Sequence, residues 1–252
     1  MTAKKRARYR LDFVEHLYLF SDWPSTAHDV VLAPGETAAI LYRAARQLGH
    51  SGTSLDLGCG SGVLALLLAA QSDRVIATDL NPRAIELTEL NAQLNGIVNV
   101  ECRQGSLFEP VAAERFDLIV NQPPYIPHPP DTPETLFLHG GLRGDELARE
   151  LIAGIPEHLV PQGRAVIFSD WLLRTDERLP DRIPNVGLRA SLYASPPLTP
   201  ESYARSYGDE LAAHLALLKV VGVRQCLAIM ERGSSVEEIT VLPHQWLNLL
   251  VG

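Results

Sequence analysis

Apolar positions fall into two rhythms along the chain. Between Glu36 and Leu48, Ala39, Ile40, Ala44 and Leu48 recur at helical spacing, and Gly49 marks a stop. From Ser54 onward short apolar runs alternate with helical stretches. Leu55–Leu57 predicts a strand, Val63–Ala70 an apolar helix and Arg74–Thr78 a second strand. Asn81-Pro82 supplies an N-cap and a proline at the first helical position, opening a helix to about Leu94 that Asn95-Gly96 ends. Val98–Cys102 and Leu118–Val120 predict the third and fourth strands, Asp145–His158 a helix, and Ala165–Phe168 a fifth strand after Pro161-Gln162-Gly163. This alternation predicts parallel βαβ units with helices on both faces of the sheet. Residues 11–33 carry no clean period, and residues 172–200 are rich in Pro and Arg. Thr199-Pro200-Glu201 reopens a helix to about Val221. Gln225–Met230 and Ile239–Leu242, joined around Gly233-Ser234-Ser235, predict a terminal hairpin.

The 252 residues are 46% hydrophobic, enough for one large domain with a full core. With 22 basic and 30 acidic residues the formal net charge is −8, which argues against a nucleic-acid partner. The basic residues Lys4, Lys5, Arg6, Arg8 and Arg10 read as a solvated tail, with an RNA-contacting arm as the alternative. The 3 cysteines, Cys59, Cys102 and Cys226, form no C-x-x-C pair. That supports neither a disulfide framework nor a zinc knuckle, and a reducing cytoplasm with no bound metal is expected. The longest apolar run, Val63–Ala70, falls far short of the ~20 residues that span a bilayer, and no signal-peptide core follows the basic start. No membrane association is expected.

The first strand of the alternation runs into Leu55-Asp56-Leu57-Gly58-Cys59-Gly60-Ser61-Gly62. Glycines at these positions let the backbone turn tightly and meet a ligand with no side chain between. The next strand ends in Asp79, followed by Leu80, where a carboxylate can accept hydrogen bonds from two ribose hydroxyls. Turn and acid together predict a nucleoside-binding crevice at the carboxyl edge of the sheet. A dinucleotide fingerprint counted from Gly58 would need its third glycine at position 63, which is Val63. A structural turn in an NAD or FAD domain is the competing reading. The observed D-x-G-x-G-x-G resembles the first motif of class I methyltransferases, which bind S-adenosylmethionine (SAM). The resemblance implies that Gly58, Cys59, Gly60 and Gly62 lie against the methionine part of SAM, that Asp56 helps position its amino end, and that Asp79 holds the ribose. Those enzymes often carry an acid at the position of Ser106, to meet the adenine amino group. Here the Ser106 hydroxyl or the Leu107 backbone takes that place.

Phe116-Asp117-Leu118-Ile119-Val120-Asn121-Gln122-Pro123-Pro124-Tyr125-Ile126 is the most informative stretch. A planar amide or aromatic amine has two N–H donors, which a side-chain carbonyl and a backbone carbonyl can accept. That fixes the nitrogen with its lone pair aimed at a methyl donor. Two prolines stiffen the loop, and a tyrosine ring can flank the acceptor. The stretch resembles the HemK/PrmC protein-glutamine N5-methyltransferases and, more loosely, adenine-N6 methyltransferases, which carry Asn-Pro-Pro-Tyr at the end of the fourth strand. Gln122 stands where the family has asparagine, and Asn121 precedes it. The catalytic set implied is Gln122, Pro123, Pro124 and Tyr125. Glutamine is one methylene longer, so its carbonyl reaches roughly 1.5 Å further. Either the loop is re-set or the acceptor differs from a glutamine amide; a spectator Gln122 in an altered loop is the other reading.

Two further stretches extend the resemblance. Leu138-His139-Gly140-Gly141-Leu142-Arg143-Gly144-Asp145 resembles the family's Gly-Gly turn into a helix. Val31-Leu32-Ala33-Pro34-Gly35-Glu36-Thr37 resembles its Pro-Arg-Pro-Glu-Thr-Glu segment, matching at Glu36 and Thr37 only, which places Thr37 at the cofactor. About residues 30–170 are covered. His128 in the proline loop reads as a surface histidine, and Asp170 and Trp171 fall at the same sheet edge as the acceptor motif. The glutamine methylases usually carry an N-terminal helical domain for recognising release factors; about 50 residues here precede the first motif. A shorter eukaryotic branch lacks that domain and works with a small zinc-binding activator, so an activator subunit or a homodimer stays open as partner.

The resemblance thus implies an α/β, Rossmann-like seven-stranded sheet, six strands parallel and one antiparallel. Residues 51–252 would form the methyltransferase domain and residues 1–50 a segment packing on it and covering the cofactor. The expected activity is SAM-dependent N-methylation of a planar amide or amine nitrogen held at Gln122-Pro123-Pro124-Tyr125, on a protein side chain or a small molecule. A small-metabolite acceptor and a silent SAM-binding module are the alternatives.

Overall fold

The computed structural model describes residues 8–25 and 27–240. The stretch that shows no clean period begins with a hairpin, β1 (Arg10–Val14) and β2 (Leu17–Ser21). Its two-residue turn is Glu15-His16, with Glu15 at φ 56° where glycine or asparagine is the usual signal. Helix α1 (Glu36–Gln47) follows as its spacing predicts. The alternation then reads β3 (Ser51–Leu57), α2 (Val63–Leu68), β4 (Ser72–Asp79), α3 (Pro82–Leu94), β5 (Val100–Gln104), β6 (Phe116–Asn121), α4 (Glu146–His158) and β7 (Leu159–Arg174). Asn81 caps α3, its Oδ1 accepting from the Arg83 N–H at 3.0 Å. β5 starts two residues later than predicted, and β7 extends well beyond the predicted Ala165–Phe168 at both ends.

Beyond β7 the structure departs from the pattern. A short helix α5 (Leu179–Arg182) leads to β8 (Leu188–Ala194), which no sequence signal marked. The expected long helix is two, α6 (Pro200–Ala204) and α7 (Asp209–Leu217), broken at Gly208 with φ 103°. β9 (Val220–Arg232) and β10 (Val236–Thr240) are consecutive but do not pair. β9 has β7 on one edge and β8 on the other, both antiparallel to it. With both edges of β9 filled, β10 takes the free edge of β8, in parallel. The predicted terminal hairpin is therefore a crossover; its expected last residues, Val241 and Leu242, lie outside the described residues.

The large sheet runs β10-β8-β9-β7-β6-β3-β4-β5. Among the described residues it has eight strands, β9 alone running against the rest: the expected α/β, Rossmann-like architecture with one parallel edge strand more. Strand alternation splits the core between two faces. Val75, Ala77, Leu118, Val120, Val166 and Phe168 pack with α1 and α2. Ile76, Ile119, Ala165 and Ile167 face the other way, onto Leu151, Ile152 and Ile155 of α4. A sheet covered on both faces explains why its central strands are nearly all apolar. The β1–β2 hairpin docks on α3 through two amides. Asn91 Oδ1 accepts from the Phe20 N–H (2.7 Å), and Asn95 Oδ1 accepts from the Tyr18 N–H (2.9 Å). Their Nδ2 groups donate back to the Phe20 and Tyr18 carbonyls. Residues four apart on a helix rise about 6 Å and residues two apart on a strand about 6.7 Å, so the two amides stand in for a neighbouring strand. Among the described residues no helix is long and apolar enough to cross a membrane.

β3 lies between β4 and β6, and chain order reverses there. The carboxyl ends of these three strands leave a crevice at the reversal, the expected ligand position in an open α/β sheet.

Candidate active site

That crevice holds a cavity of about 400 Å³. Its floor is the glycine turn leaving β3. Gly58 and Cys59 both donate from backbone N–H to the Thr78 carbonyl, at 2.7 and 2.9 Å, which folds the turn over the end of β4. Gly60 sits at φ 55° on the cavity wall, and a Cβ built there meets nothing within 4 Å. The backbone at Gly60 is therefore open to a ligand, and any side chain would occupy the ligand's space. Gly62 is different. It begins α2 at φ 83°, and a Cβ there would strike Thr88 at 2.7 Å, so its glycine serves the packing of α2 on α3.

Asp79 ends β4 on the cavity wall. Its Oδ2 accepts from the Gly60 N–H and its Oδ1 from the Asn81 N–H, both at 2.9 Å. Burial raises its pKa above the usual carboxylate value, against the pull of these backbone donors. The Leu80 N–H is a third backbone donor, and the four lone pairs of the carboxylate leave room for a further one. Asp56 lies beneath the turn rather than on the wall. It is 1% exposed, accepts from the Ala65 N–H at 2.8 Å, and is pushed up to about 7 by burial, with the nearby Asp79 charge adding to the shift. It braces the glycine turn against α2.

Leu80, Ser106 and Leu107 form the far wall, Leu107 at φ 45°. Thr37, Asn121, Gln122, Pro123 and Pro124 form the near wall, continuous with the glycine turn. Asn121 donates through Nδ2 to the Leu57 carbonyl, while its buried Oδ1 finds no hydrogen-bond partner. The Thr78 hydroxyl, on the same cavity, is buried and orphaned too. Gln122 Oε1 accepts from the Thr37 hydroxyl at 2.8 Å. Tyr125 is set behind the wall, its hydroxyl beside the Gln122 amide; burial raises its phenol pKa, and the Asp170 charge adds to the shift.

The roof has two parts: one falls in the N-terminal stretch expected to cover the cofactor, and the other, Leu136 and Phe137, carries no sequence signal. Val30 to Pro34 close the cavity from the N-terminal side, and Leu136 and Phe137 from the proline loop. The two segments are joined: His28 Nδ1 lies 2.9 Å from the Glu134 carbonyl, and the Leu136 N–H donates to the His28 carbonyl at 3.2 Å. The proline loop is stitched to the residues after it through Ile126 N–H to Leu138 O and Gly140 N–H to Ile126 O, each 3.0 Å. His128 is spent inside this loop, its Nε2 2.9 Å from the Thr132 carbonyl and its ring stacked on His139 at 4.4 Å. Asp170 and Trp171, 1% and 2% exposed, lie behind the acceptor motif and off the cavity wall. A second cavity, about 490 Å³, adjoins α4 and α5. Its six charged lining residues include the ion-paired Arg182 and Asp145, and it carries no comparable chemistry.

The residues present fit a nucleoside-bearing cofactor. The wall combines an open backbone at Gly60, a carboxylate with a spare lone pair and two orphaned polar atoms, Asn121 Oδ1 and Thr78 Oγ1. Comparisons with known proteins point the same way. Residues 36–190 match the methyltransferase small domain family. The chain is 34% identical to the release factor glutamine methyltransferase of Geobacter sulfurreducens, over 65% of this chain and 61% of that one. It is 35% identical to the ribosomal protein uL3 glutamine methyltransferase of Bradyrhizobium diazoefficiens, over 43% of this chain and 38% of that one. The chain thus spans less than two thirds of either relative. Among solved structures it is similar to Trm5b of Pyrococcus abyssi, with TM-score 0.58 and 17% identity over 90% of this chain and 57% of that one, a likeness of fold. The family match covers well over half of the sequence and takes in both the glycine turn and the Gln-Pro-Pro-Tyr loop, so the chain belongs to the methyltransferase small domain family of SAM-dependent enzymes.

Proposed function

We propose that this protein transfers the methyl group of SAM to a planar amide nitrogen, the side-chain amide of a glutamine in a protein substrate, held at Gln122-Pro123-Pro124-Tyr125. The observation that carries the reading is the shared cavity: the glycine turn, Asp79 and the Gln122-Pro123-Pro124 wall line one space. The names of the glutamine-methylating relatives support the acceptor class.

SAM supplies an electrophilic methyl group on a sulfonium, so what the protein contributes is position and charge. Gly58, Cys59 and Gly60 would face its methionine part, with Thr37 and Asn121 at its edge. Asp79, with Leu80, would hold the ribose through the free lone pair of its carboxylate. Ser106 and Leu107 would meet the adenine. On the acceptor side Gln122 Oε1 has two lone pairs. Thr37 uses one and leaves the other for an acceptor N–H. The Pro123 carbonyl accepts the second N–H, and Pro124 stiffens the turn. As positive charge develops on the nitrogen, the same two carbonyls stabilise it. Residues up to about 50 act as a cover, with Val30 to Pro34 and Thr37 already on the wall.

The test is a screen with labelled SAM against a panel of glutamine-containing peptides and a fraction of small metabolites. Label on a glutamine side chain supports the reading. Label only on metabolites moves the function to a small-molecule N-methyltransferase, which the extra methylene of Gln122 favours. Binding of S-adenosylhomocysteine (SAH) with no label transferred would mark a silent SAM-binding module.

A further inference from the structure

Behind the glycine turn, α3 presents a polar stripe that the proposed reaction does not use. Thr88, Asn91 and Asn95 follow one another at steps of three and four residues, so they share one helix face. The Thr88 hydroxyl donates to the Gly60 carbonyl at 3.3 Å, and Asn91 Nδ2 donates to the Ser61 carbonyl at 2.9 Å. Two successive carbonyls of the turn are thus held from α3. Asn95, at the far end of the stripe, clasps Tyr18 of the hairpin and makes no bond to the turn among the described residues.

Asn91 is bonded to both neighbours, and its amide is fully spent. The side chain is buried. One Nδ2 proton goes to Ser61, the other to the Phe20 carbonyl at 3.0 Å, while Oδ1 accepts from the Phe20 N–H at 2.7 Å. Reversed, the amide would set N–H against N–H and carbonyl against carbonyl, so one orientation alone is satisfied. If the hairpin lifts, Oδ1 and one Nδ2 proton lose their partners in a buried place, which is costly. The amide recovers them by turning toward the entering water, and in turning it leaves the Ser61 carbonyl.

The turn needs such a hold. Gly58, Gly60 and Gly62 all sit at positive φ, a backbone that glycine enters freely and leaves as freely. Thr78 fixes the turn at its start and Asp79 fixes the Gly60 N–H; the carbonyls of Gly60 and Ser61 depend on α3. No residue of β1 or β2 lies on the cavity wall. The hairpin does approach the cavity by a second route, since Tyr9 and Phe20 pack against the cluster of Val31, which belongs to the roof.

We propose that Asn91 is a positioning residue of the cofactor site: its amide makes docking of the hairpin and setting of the glycine turn a single equilibrium, so that the hairpin strengthens cofactor binding without touching the cofactor. The proposal rests on the reading of the glycine turn as the floor on which the cofactor lies. By linkage, the cofactor must in turn tighten the hairpin.

The experiment reads amide hydrogen exchange by NMR in the parent, Asn95→Ala and Asn91→Ala, each with and without SAH. In the free protein Asn95→Ala loosens the hairpin, and exchange at the Gly60 and Gly62 N–H groups should quicken several-fold. In the parent, saturating SAH should slow exchange at Tyr18 and Phe20 about fivefold, and Asn91→Ala should weaken SAH binding by about the same factor, the worth of one neutral hydrogen bond. In Asn91→Ala, SAH should leave Tyr18 exchange unchanged. Asn91→Ser replaces the alanine variant if circular dichroism shows that it does not fold; if neither folds, the parent and Asn95→Ala decide. Turn amides indifferent to Asn95→Ala, or hairpin amides indifferent to SAH, overturn the proposal. Unchanged SAH affinity in Asn91→Ala does so too, leaving Asn91 a clasp for the hairpin alone. Protection of Tyr18 that survives loss of the Asn91 amide assigns the coupling to Val31 instead. If SAH does not bind the parent, the cofactor-floor reading fails, while the free-protein comparison still decides the role of Asn91.

Discussion

At the ends of β3 and β4 the backbone makes the site; at the end of β6 side chains from distant segments do. The cofactor wall draws on Gly58 to Gly60 and Asp79, with one short crossover between them. The acceptor wall draws on Thr37 from α1 and on Gln122, Pro123 and Pro124 from the motif, with Tyr125 set behind it. Local backbone geometry tolerates little change, because a glycine at positive φ has few substitutes. A wall assembled from side chains can be re-cut one residue at a time, and Gln122 in place of asparagine is such a cut.

The sharpest way to break this contrast is Gly60→Val. The isopropyl group would stand in the cavity at a left-handed backbone position, and SAH binding should be lost by titration calorimetry while circular dichroism keeps the parent spectrum. Unchanged affinity would mean that the turn does not hold the cofactor. On the other wall, Gln122→Ala should lower turnover by about 10²-fold, the cost of one positioned group at the transition state, and leave SAH affinity alone. Gln122→Asn restores the family residue, yet it should also impair the native reaction, since it withdraws the carbonyl from Thr37. An asparagine variant faster than the parent on a peptide glutamine would show that the longer side chain is not exploited. The smallest effect belongs to Thr37→Val. One neutral hydrogen bond of ~1 kcal/mol should cost about fivefold in turnover. A larger loss with weakened SAH binding would show that Thr37, which stands between the two, serves chiefly the cofactor.

The same contrast explains what the sequence discloses. Strand β3, the glycine turn, Asp79 and the Asn81 cap are each legible because a few adjacent residues specify them. The motif at 121–125 is legible for the same reason. Strand β8 alternates buried Leu188, Ala190, Leu192 and Ala194 with Arg189, Ser191 and Tyr193 on its other face, but half of the fully buried set is alanine, and small side chains barely mark a face. The β1–β2 turn hides because Glu15 adopts the backbone that glycine would advertise. The β10 pairing depends on which sheet edge is free, a property of the assembled fold and of no segment. Asp170 is marked in the sequence only by its place after a predicted strand and Tyr203 by nothing; that both are buried is a property of the fold.

The amide clasp between α3 and the hairpin has a consequence for how the molecule is made. Phe20 waits for Asn91, 71 residues further along, before its strand edge is satisfied. At synthesis rates of roughly 5–20 residues per second, the hairpin leaves the ribosome several seconds ahead of its dock. During that interval it is an isolated two-stranded ribbon, marginal in water, with an open edge. The Asn91 Nδ2 group also reaches the Ser61 carbonyl of the glycine turn, at 2.9 Å. Docking the earlier-made hairpin therefore also ties it to the cofactor turn, so that completion of the nascent chain through α3 fixes one wall of the binding site before the acceptor motif is made.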